Sequence, residues 1–230
     1  MSGGLGVMIV SMTVRYGRRV ALQKALWLSA AGVAWAQPAQ PLRLLALGDS
    51  LTAGYGLPRG QGFVPQLQAA LHARGRQVRV LDGGVSGDTM SGGAARLDWA
   101  LADRPQAAII ALGGNDGLRG LPTEHMATAL DSILSRLESR RIPTLLAGMI
   151  ASPNLGADYG RAFHAVFTEA AARRPSIVFM PFFLEGVAGD PRLNQPDGIH
   201  PNQEGVAEMV RRILPFTEQV LDRVAASPAG

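Results

Sequence analysis

Residues 43–52 read Arg-Leu-Leu-Ala-Leu-Gly-Asp-Ser-Leu-Thr, a short apolar run that gives way to glycine and small polar residues. A run this brief suits a strand covered on both faces, and the change at Gly48 marks its carboxyl end. The same pattern recurs along the chain. Further strands are expected at Gln77–Leu81, Ala107–Leu112, Thr144–Gly148 and Ile177–Met180. Between them lie segments of helical period near Gly62–Arg74, Ser91–Leu101, Thr123–Arg140 and Tyr159–Arg174, with a last helix from about Asn202 to Arg223. In Thr123–Arg140 the apolar positions Met126, Ala129, Leu130, Ile133, Leu134 and Leu137 recur at steps of three and four, marking one buried face. Alternation of this kind implies right-handed crossovers and a parallel sheet with helices on both sides. The expected fold is α/β, a three-layer α/β/α sandwich with a central parallel sheet of about five strands. No internal repeat, low-complexity tract or linker interrupts it, so residues 37–230 read as a single domain.

Composition narrows the function classes. The chain has 230 residues, 47% hydrophobic and 17% charged, which excludes a disordered protein. The absence of cysteine excludes a disulfide scaffold, a Cys-ligated zinc or iron–sulfur site and thiol catalysis. The net charge of +4 comes entirely from residues 1–36, where Arg15, Arg18, Arg19 and Lys24 face no acid. The remaining 18 basic residues are matched by 18 acidic ones, so the domain has no global field to draw in nucleic acid.

That basic leader has its own logic. Residues 15–36 (RYGRRVALQKALWLSAAGVAWA) place a charged stretch before an apolar run, and Ala34-Trp35-Ala36 supplies a small-x-small cleavage pattern. The run is short for a membrane span of about 20 residues. Residues 1–36 are expected to be a signal peptide with an N-terminal extension at 1–14, cleaved near Ala36 to leave a periplasmic or secreted domain. An uncleaved anchor is the alternative, and Arg18-Arg19 lack the Phe-Leu pattern that usually accompanies a twin-arginine signal.

In an open parallel sheet, ligands bind beyond the carboxyl ends of the strands. There the sequence places Gly48-Asp49-Ser50-Leu51-Thr52, Gly83-Gly84-Val85-Ser86-Gly87-Asp88-Thr89 and Gly113-Gly114-Asn115-Asp116, with Asp197-Gly198-Ile199-His200-Pro201-Asn202 before the last helix. Together they supply the hydroxyl, imidazole, carboxylate and hydrogen-bond donors of a serine hydrolase. Ser50 is the candidate nucleophile, although a lone serine after a strand more often caps a helix. It is not the Gly-x-Ser-x-Gly elbow of α/β-hydrolases, because residue 52 is Thr. His200 is the candidate base, held in a turn by Pro201, and Asp197 lies three residues before it. Gly87 and Asn115 offer a backbone and a side-chain donor for an oxyanion. The other histidines, His72, His125 and His164, fall on helices and read as surface or packing residues.

These blocks, Gly48-Asp49-Ser50-Leu51, Gly87, Gly113-x-Asn115-Asp116 and Asp197-x-x-His200, resemble in order and spacing the SGNH, or GDSL, hydrolase family. Ser86-Gly87-Asp88-Thr89, Gly113 to Gly120 and Asp197 to Asn202 are similar to its bacterial periplasmic thioesterase I / lysophospholipase / arylesterase branch. The similarity runs from about Leu42 to the last helix. It implies a flavodoxin-like sheet and hydrolysis of carboxylic esters and thioesters through an acyl-serine intermediate. It also implies a triad of Ser50, His200 and Asp197, and oxyanion donors from Ser50, Gly87 and Asn115. Substrate-binding residues would be Asp116, Gly117, Leu118, Leu121, Asn154 and Leu155, with Asp116–Leu121 a mobile segment over the acyl chain. No metal and no cofactor are implied. The expected partner is a small acyl or aryl ester met by a monomer, with transient contact to lipid substrate. The chain departs from the thioesterase members over Met149–Tyr159, which leaves acyl-length preference open and favours arylesterase-like relatives.

Rival readings fit less well. Gly54-x-Gly56-x-x-x-Gly60 has the wrong spacing for a dinucleotide fingerprint, and Lys24 is the only lysine, so no phosphate-binding loop is present. Four intact blocks disfavour an inert carbohydrate-binding relative. A carbohydrate deacetylase would share the fold and triad; Leu118, Leu121, Leu155, Phe182 and Phe183 argue instead for an acyl or aryl group.

Overall fold

The computed structural model describes Met1 and residues 40–226, and the expected signal peptide lies outside the described residues. Five strands form one sheet: β1 (Leu42–Gly48), β2 (Val78–Gly84), β3 (Ala107–Ala111), β4 (Thr144–Ala147) and β5 (Val178–Met180). All pairings are parallel, and the order is β2-β1-β3-β4-β5. Seven α-helices accompany them among the described residues: α1 (Ser50–Ala53), α2 (Phe63–Ala73), α3 (Met90–Ala100), α4 (Gly114–Leu118), α5 (Thr123–Ser139), α6 (Ala157–Ala172) and α7 (Gln203–Ala226).

Burial follows the hydrophobic pattern. Every residue of the central strand β3 and of β4 is buried, as both faces of a covered parallel sheet require. The α5 stripe from Met126 to Leu137 is buried as its spacing predicts. One helical layer pairs α2 with α7, and the other runs α3, α5, α6. This division follows from right-handed crossovers that leave β1 in opposite directions, first to β2 and later to β3–β5.

The observed strand β2 is longer than its apolar run. Asp82, Gly83 and Gly84 continue the ladder opposite Ala46, Leu47 and Gly48. At Gly84 an added Cβ would lie 2.4 Å from the Ala53 nitrogen, so the end of α1 comes too close for any side chain there. The strand order reverses between β1 and β3, and the crevice beyond their carboxyl ends is where such a sheet receives a ligand.

Candidate active site

Ser50 is the first residue of α1, directly beyond β1, and the Asp49 carboxylate caps that helix by accepting the Leu51 N–H at 3.0 Å. The Ser50 hydroxyl reaches His200 Nε2 at 2.9 Å, and His200 Nδ1 reaches Asp197 Oδ2 at 2.7 Å. With Nε2 accepting from the hydroxyl, Nδ1 carries the proton and donates it to Asp197, the tautomer a general base requires. The turn that makes this possible is local. Asp197 Oδ1 accepts the backbone N–H groups of Ile199 and His200, each at 3.0 Å, which folds the loop back on itself. The Gln195 N–H then holds the His200 carbonyl at 2.7 Å.

The electrostatics of the loop favour a charged acid. The His200 backbone N–H, its imidazole and the Ile199 N–H together hold the Asp197 carboxyl down at about 2. Asp49 behaves in the opposite way: burial pushes it up to about 6, against the pull of the Leu51 N–H and nearby His200.

Two further loops complete the rim. Asn115 lies on α4, and its Nδ2 donates to the Asp88 carbonyl at 2.9 Å, with its other contact a long 3.5 Å to Asp49 Oδ2. Gly87 sits in the turn after β2 at φ +82°, a conformation that glycine adopts without strain. That turn is tied down twice. Arg119 donates to the Gly87 carbonyl at 2.9 Å, while Arg96 bridges the Asp88 carboxylate at 2.7 Å and the Gly48 carbonyl at 2.9 Å.

A cavity of about 230 Å³ opens over Ser50, His200 and Asn115, walled by Leu118, Met149, Ile150, Phe182, Leu184 and Ile199. The sequence reading therefore meets the structure unevenly. Ser50, His200, Asp197 and Asn115 come together, Leu118 and Phe182 wall the cavity, and Gly87 occupies the adjoining turn. Asp116, Gly117, Leu121, Asn154 and Leu155 lie outside the cavity walls. The Asp116 carboxylate turns inward to accept the Met90 N–H at the start of α3, and burial raises its pKa. Gly117 packs under the Phe163 ring, and the Leu121 carbonyl accepts the Tyr159 hydroxyl. Leu155 packs against the core beside an exposed Asn154 in a 3-10 turn. Phe183 is fully buried, edge-on to Phe63.

Met149 and Ile150 open the Met149–Tyr159 stretch that the sequence set against the pocket-lining loop of the thioesterase members, although neither was singled out; Leu184 and Ile199 were missed as wall residues. Tyr55 was also missed; its ring centroid lies 4.6 Å from that of His200, and no motif flags it. Among the described residues no cluster of His, Cys, Asp or Glu could hold a metal ion. A larger hollow of about 480 Å³, lined by Arg141, Ile142, Arg174 and Ile177, lies at the other end of β4 and β5 and contains no histidine.

A hydroxyl, an imidazole and a carboxylate in line at the switch point of a parallel sheet form the constellation of a serine hydrolase. Residues 46–207 match the model of the GDSL-like Lipase/Acylhydrolase family. The chain is 38% identical over 186 residues to esterase TesA of Pseudomonas aeruginosa, covering 80% of this chain and 92% of that one. It is 36% identical over 176 residues to an arylesterase of Vibrio mimicus, covering 75% and 88%. Among solved structures it is similar to AlinE4, an SGNH-hydrolase family esterase, with 42% identity, a TM-score of 0.66 and coverage of 79% and 97%. The chain belongs to the GDSL-like lipase/acylhydrolase family and is a carboxylic ester hydrolase.

Proposed function

We propose that the chain hydrolyses small acyl or aryl esters, and thioesters, through a covalent acyl-Ser50 intermediate. Ser50 Oγ attacks the substrate carbonyl and passes its proton to His200 Nε2, while Asp197 stabilises the imidazolium. The carbonyl oxygen, now negative, meets the Ser50 and Gly87 N–H groups and the Asn115 amide. Neither N–H has a hydrogen-bond partner among the described residues. His200 returns the proton to the departing alcohol or thiol. Water then attacks the acyl-serine with His200 again as base, releasing the acid and restoring Ser50. The observation that carries this reading is the relay of 2.9 Å and 2.7 Å contacts from Ser50 through His200 to Asp197.

Substrate size follows from the cavity. Its 230 Å³ is small for a ligand pocket and suits a short acyl or an aryl group. A longer chain would run out past Leu118 and Ile150, each 57% exposed. These exposed apolar residues at the mouth support transient contact with a lipid substrate by a monomeric enzyme. Residues 37–230 act as one domain in this reading, exported after cleavage near Ala36. The leader composition supports export, and among the described residues no helix is long and apolar enough to cross a membrane.

The test is turnover of a nitrophenyl ester series from acetate to palmitate, run beside an acyl-CoA and a lysophospholipid. Short esters are expected to turn over fastest, and Ser50→Ala to lose at least about 10³-fold with an unchanged circular-dichroism spectrum. Turnover that survives in this variant removes the acyl-Ser50 mechanism.

A further inference from the structure

Tyr55 lies just beyond α1 and is 53% exposed, yet its backbone is fixed at both ends. Its N–H donates to the Ser50 carbonyl at 3.1 Å, and its carbonyl accepts from Gln195 Nε2 at 2.8 Å. Gln195 Nε2 also donates to the Pro201 carbonyl at 3.0 Å, and the Gln195 backbone N–H holds His200. One residue thus clips the segment carrying Ser50 to the loop carrying His200. The outcome is a ring contact, with Tyr55 and His200 centroids 4.6 Å apart and their planes inclined by 37°. Beside them, against Ser50 and Val206, the free space is only about 10 Å³, room for a single water at most.

This placement answers a need that the hydrogen bonds leave unmet. The bonds to Ser50 and Asp197 both lie at ring nitrogens, so they fix the edges of the imidazole and leave its faces unsupported. An aromatic face against a cation stabilises it through the ring quadrupole. Among the described residues, the carboxyl groups that act on His200 are Asp197, in direct contact and charged, and the buried Asp49, charged above about pH 6.

We infer that Tyr55 is a positioning residue for the general base: its ring braces the face of the His200 imidazole and stabilises the imidazolium formed in each proton transfer. The inference rests on the acyl-Ser50 reading. It assigns the work to the ring face, since the Tyr55 hydroxyl has no hydrogen-bond partner among the described residues.

The experiment measures nitrophenyl acetate turnover from pH 4 to pH 10 for the wild type, Tyr55→Phe, Tyr55→Trp, Tyr55→Leu and Ser50→Ala. Tyr55→Leu is expected to lower kcat about two- to fivefold with KM within twofold. It should also move the acidic limb of the kcat/KM profile to lower pH by about half a unit, because the charged imidazole loses support. Tyr55→Phe and Tyr55→Trp, which keep a ring face, should hold the limb at or above its wild-type position. An unmoved limb in a folded Tyr55→Leu protein overturns the inference, and so does a Tyr55→Phe protein that falls with Tyr55→Leu. Should Tyr55→Leu fail to fold, a Phe or Trp variant whose limb drops by the same half unit overturns it equally. Residual activity in Ser50→Ala would instead strike the acyl-serine mechanism itself, so the two failures are distinct.

Discussion

Asp49 and Asp197 flank the Ser50–His200 pair, and the protein treats them in opposite ways. Asp197 stands on an open loop, where two backbone N–H groups and an imidazole converge on it and hold its carboxyl near 2. Asp49 is 1% exposed with one backbone N–H at its carboxylate, and burial lifts it to about 6. Both are ionised at pH 8, but only Asp197 keeps its charge well below pH 6 and hydrogen-bonds the imidazole directly, which places it to stabilise an imidazolium. The acid next to the nucleophile in sequence therefore caps α1, and the acid 147 positions away serves the base. Proximity in sequence and aptitude for catalysis are separate matters, decided by which donors surround the carboxylate.

Asp197→Asn would break the comparison most severely. An amide there favours the wrong imidazole tautomer, so kcat is expected to fall by about 10³–10⁴ while the fold persists. Asn115→Ala comes next, with a loss of about 10²–10³ expressed in kcat more than in KM, because its donor acts on the transition state. Steady-state kinetics on one ester distinguish the two, and a change confined to KM would contradict the Asn115 role.

Asp49→Asn sharpens the comparison from the other side. Activity at pH 8 should stay within about tenfold of wild type, since an asparagine also caps a helix. Stability is the more telling readout. Asp49 is protonated in the folded state up to about pH 6 but ionises near 3.8 when unfolded, so wild-type stability drops from this group as pH rises between those values. Urea titrations should show the variant gaining on wild type by on the order of 3 kcal/mol across that window, then running level above it. A difference that does not vary with pH would refute the burial argument. The smallest effect is expected at the cavity wall, where Leu118→Ser should cost about three- to fivefold on an octanoate ester and less on acetate.

How far the sequence could be read depended on what held each element. The strands and the five long helices were legible because burial alone sets their pattern, and α5 kept the six apolar positions its spacing marked. The end of β2 was not, because Gly83 and Gly84 look like a turn until the neighbouring backbone is known to crowd them. The segment α4, with two glycines in five residues, carries no helical signal of its own. Contacts distant in sequence define it: Asp116 to the Met90 N–H, and Tyr159 to the Asp116 and Leu121 carbonyls. For the same reason Asp116 and Gly117, read as substrate-binding, point into the protein. The convergence of Ser50, His200 and Asp197 was legible because each sits at a strand end or before a helix, where topology delivers it to one edge. Much of the cavity wall was not, since Leu184 and Ile199 are ordinary apolar residues until the loops are packed.

Covalent labelling tests the acyl-serine claim at the atom concerned. The protein is incubated with an alkyl fluorophosphonate, and the adduct is located by peptide mass spectrometry while activity is followed. One adduct per chain, on Ser50, forming at the rate at which activity is lost and absent from Ser50→Ala, is the expected result. Complete inactivation with Ser50 unmodified, or an adduct on another serine that tracks the loss, would contradict it.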